Sequence, residues 1–189
     1  MLFMTMELID GHSLESLLHP EGAAEGTRLE PIRAIELTLP IARGLAAAHE
    51  AGVVHRDLKP ANVLVEGGGR VVLTDFGIAR SMLEGGAETT DIVGTPFYMA
   101  PEQVVGDAVD ARTDIYALGL LLYEMLVGKM PFAGPTPMAA VVARCKEPPP
   151  DPRRSVNMPD PLAKLVLACM ATDPRERPAT AEQVAESLV

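Results

Sequence analysis

The segment that decides the fold of this 189-residue chain reads His55-Arg56-Asp57-Leu58-Lys59-Pro60-Ala61-Asn62. It lies between two apolar runs, and a third apolar run soon afterwards leads into Asp75. We expect short strands here that carry polar groups at their ends. Asp57 could accept a proton, Asn62 and Asp75 offer oxygen ligands suited to Mg²⁺, and Lys59 adds a fixed positive charge. Such a cluster fits the transfer of a negatively charged group.

The composition predicts a folded domain. Apolar residues make up 48% of the chain, which is enough for a core, and the 4% of aromatic residues means that this core is mainly aliphatic. The net charge of −10 argues against a nucleic-acid or anionic-membrane surface, because such surfaces need a basic patch. The charge does not separate an enzyme from a scaffold protein.

The cysteines and the hydropathy pattern predict a cytoplasmic chain. Cys145 and Cys169 are far apart and lack metal-ligand spacing, so we expect reduced, buried thiols, with a disulfide as the alternative. No apolar run reaches the roughly 18–20 residues of a membrane span, since the most apolar segment is short and contains Tyr116 and Glu124. The N-terminus lacks the pattern of a signal peptide.

Periodicity and capping signals predict a mostly helical chain after residue 80. We expect a strand at 1–9 with a turn near Gly11, a hairpin of 63–65 and 71–74, and a mobile loop at 81–93. Helices are expected at 13–18, 30–50, 101–105, 114–126, 136–146, 162–171 and from 180 onward. Ser13 should cap the first, and Thr180 to Gln183 should form a capping box at the last. In the 30–50 helix, Pro31 suits the first turn, and Pro40 should cause a kink rather than a break. In the 30–50 helix, Ile35, Leu39, Ala42, Ala46 and His49 share one predicted apolar face, on which His49 is expected to be a core residue rather than a ligand.

A series of motifs in a fixed order carries a family resemblance. They are the opening segment, Asp75-Phe76-Gly77, Gly94-Thr95-Pro96-Phe97-Tyr98-Met99-Ala100-Pro101-Glu102, Asp114-Ile115-Tyr116-Ala117-Leu118-Gly119 and Arg175-Glu176-Arg177-Pro178. With them the chain resembles, end to end, the C-terminal lobe of a eukaryotic-like (Hanks-type) serine/threonine protein kinase. The resemblance implies a mainly α fold with a small β component. It also implies a partial kinase domain over 1–189, with the hinge strand and linker at 1–11 and a helical lobe at 12–189.

The resemblance implies transfer of the ATP γ-phosphoryl group to protein Ser/Thr hydroxyls, with ATP and Mg²⁺ as cofactors. Asp57 would take the hydroxyl proton, while Asn62 and Asp75 would hold Mg²⁺. Lys59 would neutralise the γ-phosphate, and its position two residues after Asp57 points to Ser/Thr rather than Tyr substrates. Thr95, in the loop that would receive the substrate, supports the same choice.

Further positions take nucleotide-binding, regulatory and structural roles from the resemblance. Glu7 and Ile9 would contact adenine from the hinge, behind Met6 as gatekeeper, and Leu64 would form the floor of the site. Arg56 suggests control by phosphorylation of Thr89 or Thr90, although these could also be ordinary solvated threonines. Structural roles would fall on His55 and Phe76 in a packed column, and on a Glu102–Arg177 ion pair. Asp114 would support the segment 55–62, which is the catalytic loop in this family.

The chain lacks motifs that complete such a site in the family. No Gly-x-Gly-x-x-Gly occurs, and no lysine precedes the catalytic loop; the lysines are Lys59, Lys129, Lys146 and Lys164. In this family, activity needs an ion pair in the N-lobe between a lysine on its third strand and a glutamate on its C helix. It also needs the contact between Mg²⁺ and the aspartate of the Asp-Phe-Gly motif. We therefore favour a piece of a complete kinase whose N-lobe lies upstream. The alternatives are an N-lobe supplied by another polypeptide and a non-catalytic, kinase-like binding or regulatory module. In each case we expect weak or no ATP turnover from this polypeptide alone.

Overall fold

The computed structural model describes residues 7–22, 26–76, 96–132, 134 and 136–189, and these are mostly helical. The helices are α1 (Leu14–Leu18), α2 (Pro31–Glu50), α3 (Pro101–Val105), α4 (Ala111–Val127), α5 (Pro137–Lys146), α6 (Asp160–Cys169) and α7 (Ala181–Ser187). The strands are β1 (Gly11–Ser13), β2 (Val63–Glu66) and β3 (Val71–Leu73). The predicted fold class, mainly α with a small β component, is confirmed.

Helix α4 forms the centre of the fold, as its uniformly apolar sequence predicts. Every residue over 113–126 is buried. The helix begins at the cap residue Asp110, which accepts a hydrogen bond from the Arg112 N–H at 2.7 Å, and it ends at Gly128 in the left-handed conformation. Helices α2, α6 and α7 pack around it. Asp114, which lies in the first turn of α4, is therefore part of a buried helix.

Helix α2 begins with Pro31 and continues through Pro40, as predicted. Its buried face is broader than the predicted face and is centred differently. The fully buried residues are Ala34, Leu37, Thr38, Ile41, Ala42, Leu45 and Ala46, while Ile35 and Leu39 are only half-buried. The reason is that α2 packs against α4, α7 and β3 together, so more than one stripe of side chains is covered.

The sheet corrects the prediction for the first residues. The order is β1-β2-β3, with both pairs antiparallel, so the predicted hairpin of β2 and β3 is confirmed. The strand expected at 1–9 is wrong for its described part, since Glu7 to Ile9 form no strand and Gly11 begins β1 rather than a turn. Gly11 suits this place because a Cβ there would lie 2.6 Å from the carbonyl oxygen of Val65. Residues 1–6 and the loop expected at 81–93 lie outside the described residues.

The capping predictions for α1 and α7 are confirmed, with one difference in detail. Ser13 caps α1 by accepting from the Ser16 N–H, and Thr180 caps α7 by accepting from the Gln183 N–H, each at 3.2 Å. The Gln183 side chain accepts from Ala179 at 2.9 Å rather than from the cap residue itself. Both cysteines are free thiols; Cys169 is buried as expected, whereas Cys145 is only half-buried. Among the helices that the structure describes, none combines the length and the apolar character needed to cross a membrane.

Candidate active site

Three of the sequence-predicted site residues meet directly in the loop between α2 and β2. The Lys59 Nζ donates to Asp57 Oδ2 at 2.8 Å. The Asn62 Nδ2 donates to the Asp57 carbonyl at 2.8 Å and to Oδ2 at 3.2 Å. Asn62 is buried at the end of the short 3₁₀ helix Pro60–Asn62, whereas the Asp57 side chain is 55% exposed. The carboxylate is thus held by hydrogen bonds from Lys59 and Asn62 and is otherwise accessible to solvent.

The hairpin brings Thr74, the residue before Asp75, against Asn62. The Thr74 N–H donates to the carbonyl of Asn62 at 3.0 Å, and Asp75 follows as an exposed residue in the left-handed conformation, with φ of 57°. Because the amide nitrogen of Asn62 is committed to Asp57, its amide oxygen is the atom that can bind a metal. An amide oxygen and a carboxylate fit Mg²⁺, which typically takes one or two carboxylates together with waters and substrate phosphates.

The backbone of the catalytic loop is anchored by the buried carboxylate of Asp114. Its Oδ2 accepts from the His55 N–H at 2.7 Å, and its Oδ1 accepts from the Arg56 N–H at 2.8 Å. Arg56 has a φ of 65°, which costs a non-glycine residue on the order of 1–3 kcal/mol and persists only where the surroundings enforce it. The two hydrogen bonds from Asp114 are part of that enforcement.

His49 is packed in the interior as expected, and the structure adds a polar contact that the sequence did not predict. Its Nε2 donates to Asp114 Oδ2 at 2.8 Å. Its Nδ1 is buried and has no hydrogen-bond partner among the described residues. His49 therefore acts on the site through Asp114 rather than as a ligand.

His55 connects the catalytic loop to the strand that ends at Asp75. Its Nε2 donates to the Thr74 carbonyl at 3.0 Å, and the Asp57 N–H points to its Nδ1 at 3.4 Å. Both ring nitrogens of His55 thus face backbone groups. The ring also packs on Phe76, with centroids 4.5 Å apart. The two residues of the predicted column are thus in contact.

Glu102 and Arg177 form a buried, two-pronged ion pair. Arg177 Nη1 and Nη2 donate to the two carboxylate oxygens at 2.7 and 2.8 Å, and the Thr113 hydroxyl adds a bond of 2.8 Å. Burial opposes ionisation of Glu102, but the hydrogen bonds and charge of Arg177 outweigh it and hold the pKa below its ordinary value. The guanidinium also lies 4.7 Å from the ring centroid of Tyr116. The pair joins α3 to the segment before α7.

Comparisons with known proteins agree with this arrangement. The family model for the protein kinase domain matches residues 1–189. The chain belongs to the protein kinase family. It is 37% identical over 191 residues to the serine/threonine-protein kinase PknB of Mycolicibacterium smegmatis, covering 99% of this chain and 30% of the relative. PknB of Mycobacterium tuberculosis gives the same figures.

A third relative extends the comparison beyond PknB. The chain is 40% identical over 188 residues to the probable serine/threonine-protein kinase SCO3848 of Streptomyces coelicolor, covering 96% of the chain and 27% of the relative. The predicted serine/threonine kinase family is therefore confirmed. The chain spans less than a third of the length of these relatives.

A network on the other side of the catalytic loop of this kinase domain was missed from sequence. Glu124, which the sequence marks only as a charge in an apolar helix, is buried and accepts from His19 Nε2 at 2.9 Å and from the Tyr98 hydroxyl. Burial, followed by the charge of Glu124, raises the pKa of Tyr98 above its ordinary value. These residues line a cavity of about 470 Å³ together with Lys59. Because a buried carboxylate needs polar partners, a glutamate within a uniformly apolar helix could have predicted such a network.

The positions predicted as hinge residues lie just before β1. Glu7 is exposed, and its carboxylate accepts from Arg70 at 3.0 and 3.3 Å; these bonds and the charge of Arg70 lower the pKa of Glu7. Ile9 is half-buried, and the half-buried Leu64 pairs with Ser13 in the neighbouring strand. Glu7 thus contacts the turn between β2 and β3, and Leu64 lies within β2.

Several predicted positions lie outside the described residues. These are the gatekeeper Met6, the candidate phosphorylation sites Thr89 and Thr90, and Thr95 of the expected substrate loop. Their roles stay predictions.

Proposed function

We propose that the protein containing this chain is a serine/threonine protein kinase, and that residues 1–189 carry the half of its active site that performs the chemistry. The observation that carries the proposal is the exposed Asp57 carboxylate, held by Lys59 and Asn62 in a member of the kinase family. The relatives that match 96–99% of this chain are named serine/threonine-protein kinases, which supports the same substrate class.

In this proposal Asp57 orients the attacking hydroxyl and takes its proton. The bond from the substrate oxygen to the γ-phosphorus forms while the bond to the bridging oxygen of ADP breaks. Among the described residues, both side-chain donors contact Oδ2 of Asp57, so we assign Oδ1 to the substrate hydroxyl. Lys59 is within reach of the same point and stabilises the charge on the moving phosphoryl group.

ATP and Mg²⁺ are the proposed cofactors, as is general for this family. Asn62 Oδ1 and the Asp75 carboxylate would hold the metal, which neutralises phosphate charge when bound. We assign Glu7, Ile9 and Leu64 to the adenine side of the site. ATP as co-substrate and free thiols in the chain are consistent with an intracellular location, which we propose to be the cytoplasm.

The proposal includes a nucleotide clamp from outside residues 1–189. This part rests on the sequence, which contains no Gly-x-Gly-x-x-Gly and no lysine before Lys59. We place the clamp in an upstream N-lobe of the full-length protein. Phosphorylation of Thr89 or Thr90, read by Arg56, and a role of Thr95 in substrate binding belong to the same proposal.

The decisive experiment measures phosphate transfer from ATP to a generic Ser/Thr protein substrate by the full-length protein. Asp57→Asn should lower kcat by about 10²–10⁴-fold, the usual contribution of a general base. Asp160→Asn is the matched control, because Asp160 is 70% exposed and pairs only at the surface with Arg153. Absence of transfer by the unmodified protein, or equal activity of the Asp57 variant, would favour the non-catalytic binding module instead.

A further inference from the structure

Gln103 links the catalytic loop to the helix that follows the expected substrate loop. Its Nε2 donates to the carbonyl of Arg56 at 2.9 Å, and its Oε1 accepts from the N–H of Ala100 at 3.0 Å. A single half-buried amide side chain thus satisfies two backbone groups that are far apart in sequence. None of the sequence motifs assigns a role to this residue.

The carbonyl that Gln103 binds belongs to the peptide unit immediately before Asp57. The other end of that planar unit is the Asp57 N–H, which points to His55 Nδ1 at 3.4 Å. On the N-terminal side, the Arg56 N–H is held by Asp114 at 2.8 Å. Arg56 itself is in the unfavourable left-handed conformation. Gln103 is therefore the group that fixes the carbonyl end of the peptide plane from which the Asp57 side chain projects.

The other end of the bridge is rigid. Ala100 is fully buried, and the neighbouring residue Glu102 is locked to Arg177 by two short hydrogen bonds. The backbone N–H of Gln103 also donates to the carbonyl of Ala100 at 3.0 Å. A shift of the segment before α3 would therefore be passed to the catalytic loop through one side chain rather than be absorbed by a flexible contact.

We infer that Gln103 is a positioning residue for Asp57, which couples the placement of the segment leading into α3 to the orientation of the catalytic carboxylate. The kinetic part of this inference rests on the proposed kinase function. The coupling itself is a property of the fold and can be measured without activity.

Two substitutions separate the two hydrogen bonds of Gln103. Gln103→Glu keeps an acceptor for the Ala100 N–H and loses the donor to Arg56, while Gln103→Leu loses both at similar size. The chain offers a matched control in Gln183, whose Oε1 also accepts a backbone N–H, that of Ala179, at a distant helix start. Gln183→Glu and Gln183→Leu repeat the same chemistry away from the catalytic loop.

The first measurement is hydrogen–deuterium exchange of the full-length protein at residues 55–62. Both Gln103 variants should exchange several-fold faster than the unmodified protein, and both Gln183 variants should match it. Unchanged exchange in Gln103→Glu, with the cap to Ala100 retained, would overturn the inference. This readout also decides the question if the protein transfers no phosphate and the proposed function fails.

The second measurement is steady-state kinetics with the same variants. Gln103→Glu should lower kcat by about tenfold, the effect of one positioned hydrogen bond, and should leave the KM for ATP within about twofold. A substitution with only a structural effect would lower the melting temperature without lowering kcat at an unchanged KM. Equal kcat in Gln103→Glu and Gln183→Glu would contradict the inference.

Discussion

Two buried carboxylates, Asp114 on α4 and Glu102 on α3, have different roles. Asp114 binds two backbone N–H groups of the catalytic loop and the ring of His49. Glu102 binds a full positive charge, Arg177, together with a hydroxyl. The first carboxylate therefore shapes a loop, and the second ties distant segments together. The comparison shows that the role of a buried charge depends on its partner, because the partner determines which part of the fold is released when the contact is lost.

The largest expected effect is on the ion pair. Arg177→Ala leaves Glu102 buried and uncompensated, so the free energy of unfolding should fall by about 3–5 kcal/mol. Arg175→Ala is the matched control, because Arg175 is 85% exposed and forms only a surface pair; it should change stability by less than about 1 kcal/mol. Urea unfolding of both variants makes the comparison. Equal stability losses would show that Glu102 is not tied to Arg177 in solution.

A smaller loss of stability, with a larger local effect, is expected for Asp114→Asn. The amide has one acceptor oxygen where the carboxylate has two, so either the His55 N–H or the Arg56 N–H loses its partner, at a cost of about 1–3 kcal/mol. The rate of hydrogen–deuterium exchange at the backbone amides of residues 55–57 should rise more than the rate in the interior of α4. A uniform rise throughout the protein would mean that Asp114 acts on global stability, like Glu102.

The pH dependence of stability should reveal the contribution of the Glu102–Arg177 pair. The pKa of Glu102 is lower in the folded protein than its ordinary value of 4.5. The ionised form is thus favoured by folding, so this contribution is present above pH 4.5 and is lost as the pH falls through the lower folded pKa. Urea unfolding between pH 7 and pH 3 should show a steeper loss for the unmodified protein than for Glu102→Gln. Parallel curves would contradict this assignment.

The smallest expected effect is that of His49→Leu. The substitution removes one donor to Asp114 but leaves both backbone donors in place, and it also removes the buried Nδ1 that lacks a partner. We expect a change of about 1 kcal/mol or less in the free energy of unfolding. Exchange at residues 55–57 should stay close to that of the unmodified protein. A loss as large as that of Asp114→Asn would make His49 an equal member of the anchor.

Local signals in the sequence predicted most of the elements correctly. The Ser13 and Thr180 caps, the hairpin and the buried helix α4 all follow from residue type and spacing over a few positions. The first strand was placed wrongly, because the apolar residues before Asp10, among them Leu8 and Ile9, suggested a strand, while pairing with β2 begins only at Gly11. Such pairing depends on which backbone can approach Val65, and that is a tertiary property.

The candidate site was predicted where its residues lie within one motif and missed where distant segments meet. Asp57, Lys59 and Asn62 span six positions, so their meeting could be expected. The network of His19, Tyr98 and Glu124 joins positions up to 105 residues apart, and Gln103 reaches the loop across 47 residues. No local pattern encodes such distances.

The sequence by itself determined the family, the chemical groups of the catalytic loop and the helical character of the chain. These depend on residue identity, on short-range periodicity and on the capacity of particular side chains to bind protons, metals and phosphate. Only the tertiary structure decided how Asp57 is oriented. Its orientation depends on Asp114, His55 and Gln103, which hold the strained peptide units before Asp57 from three directions. Backbone hydrogen bonds of this kind are set by packing, because each one exists only where two separate segments are brought within about 3 Å of each other.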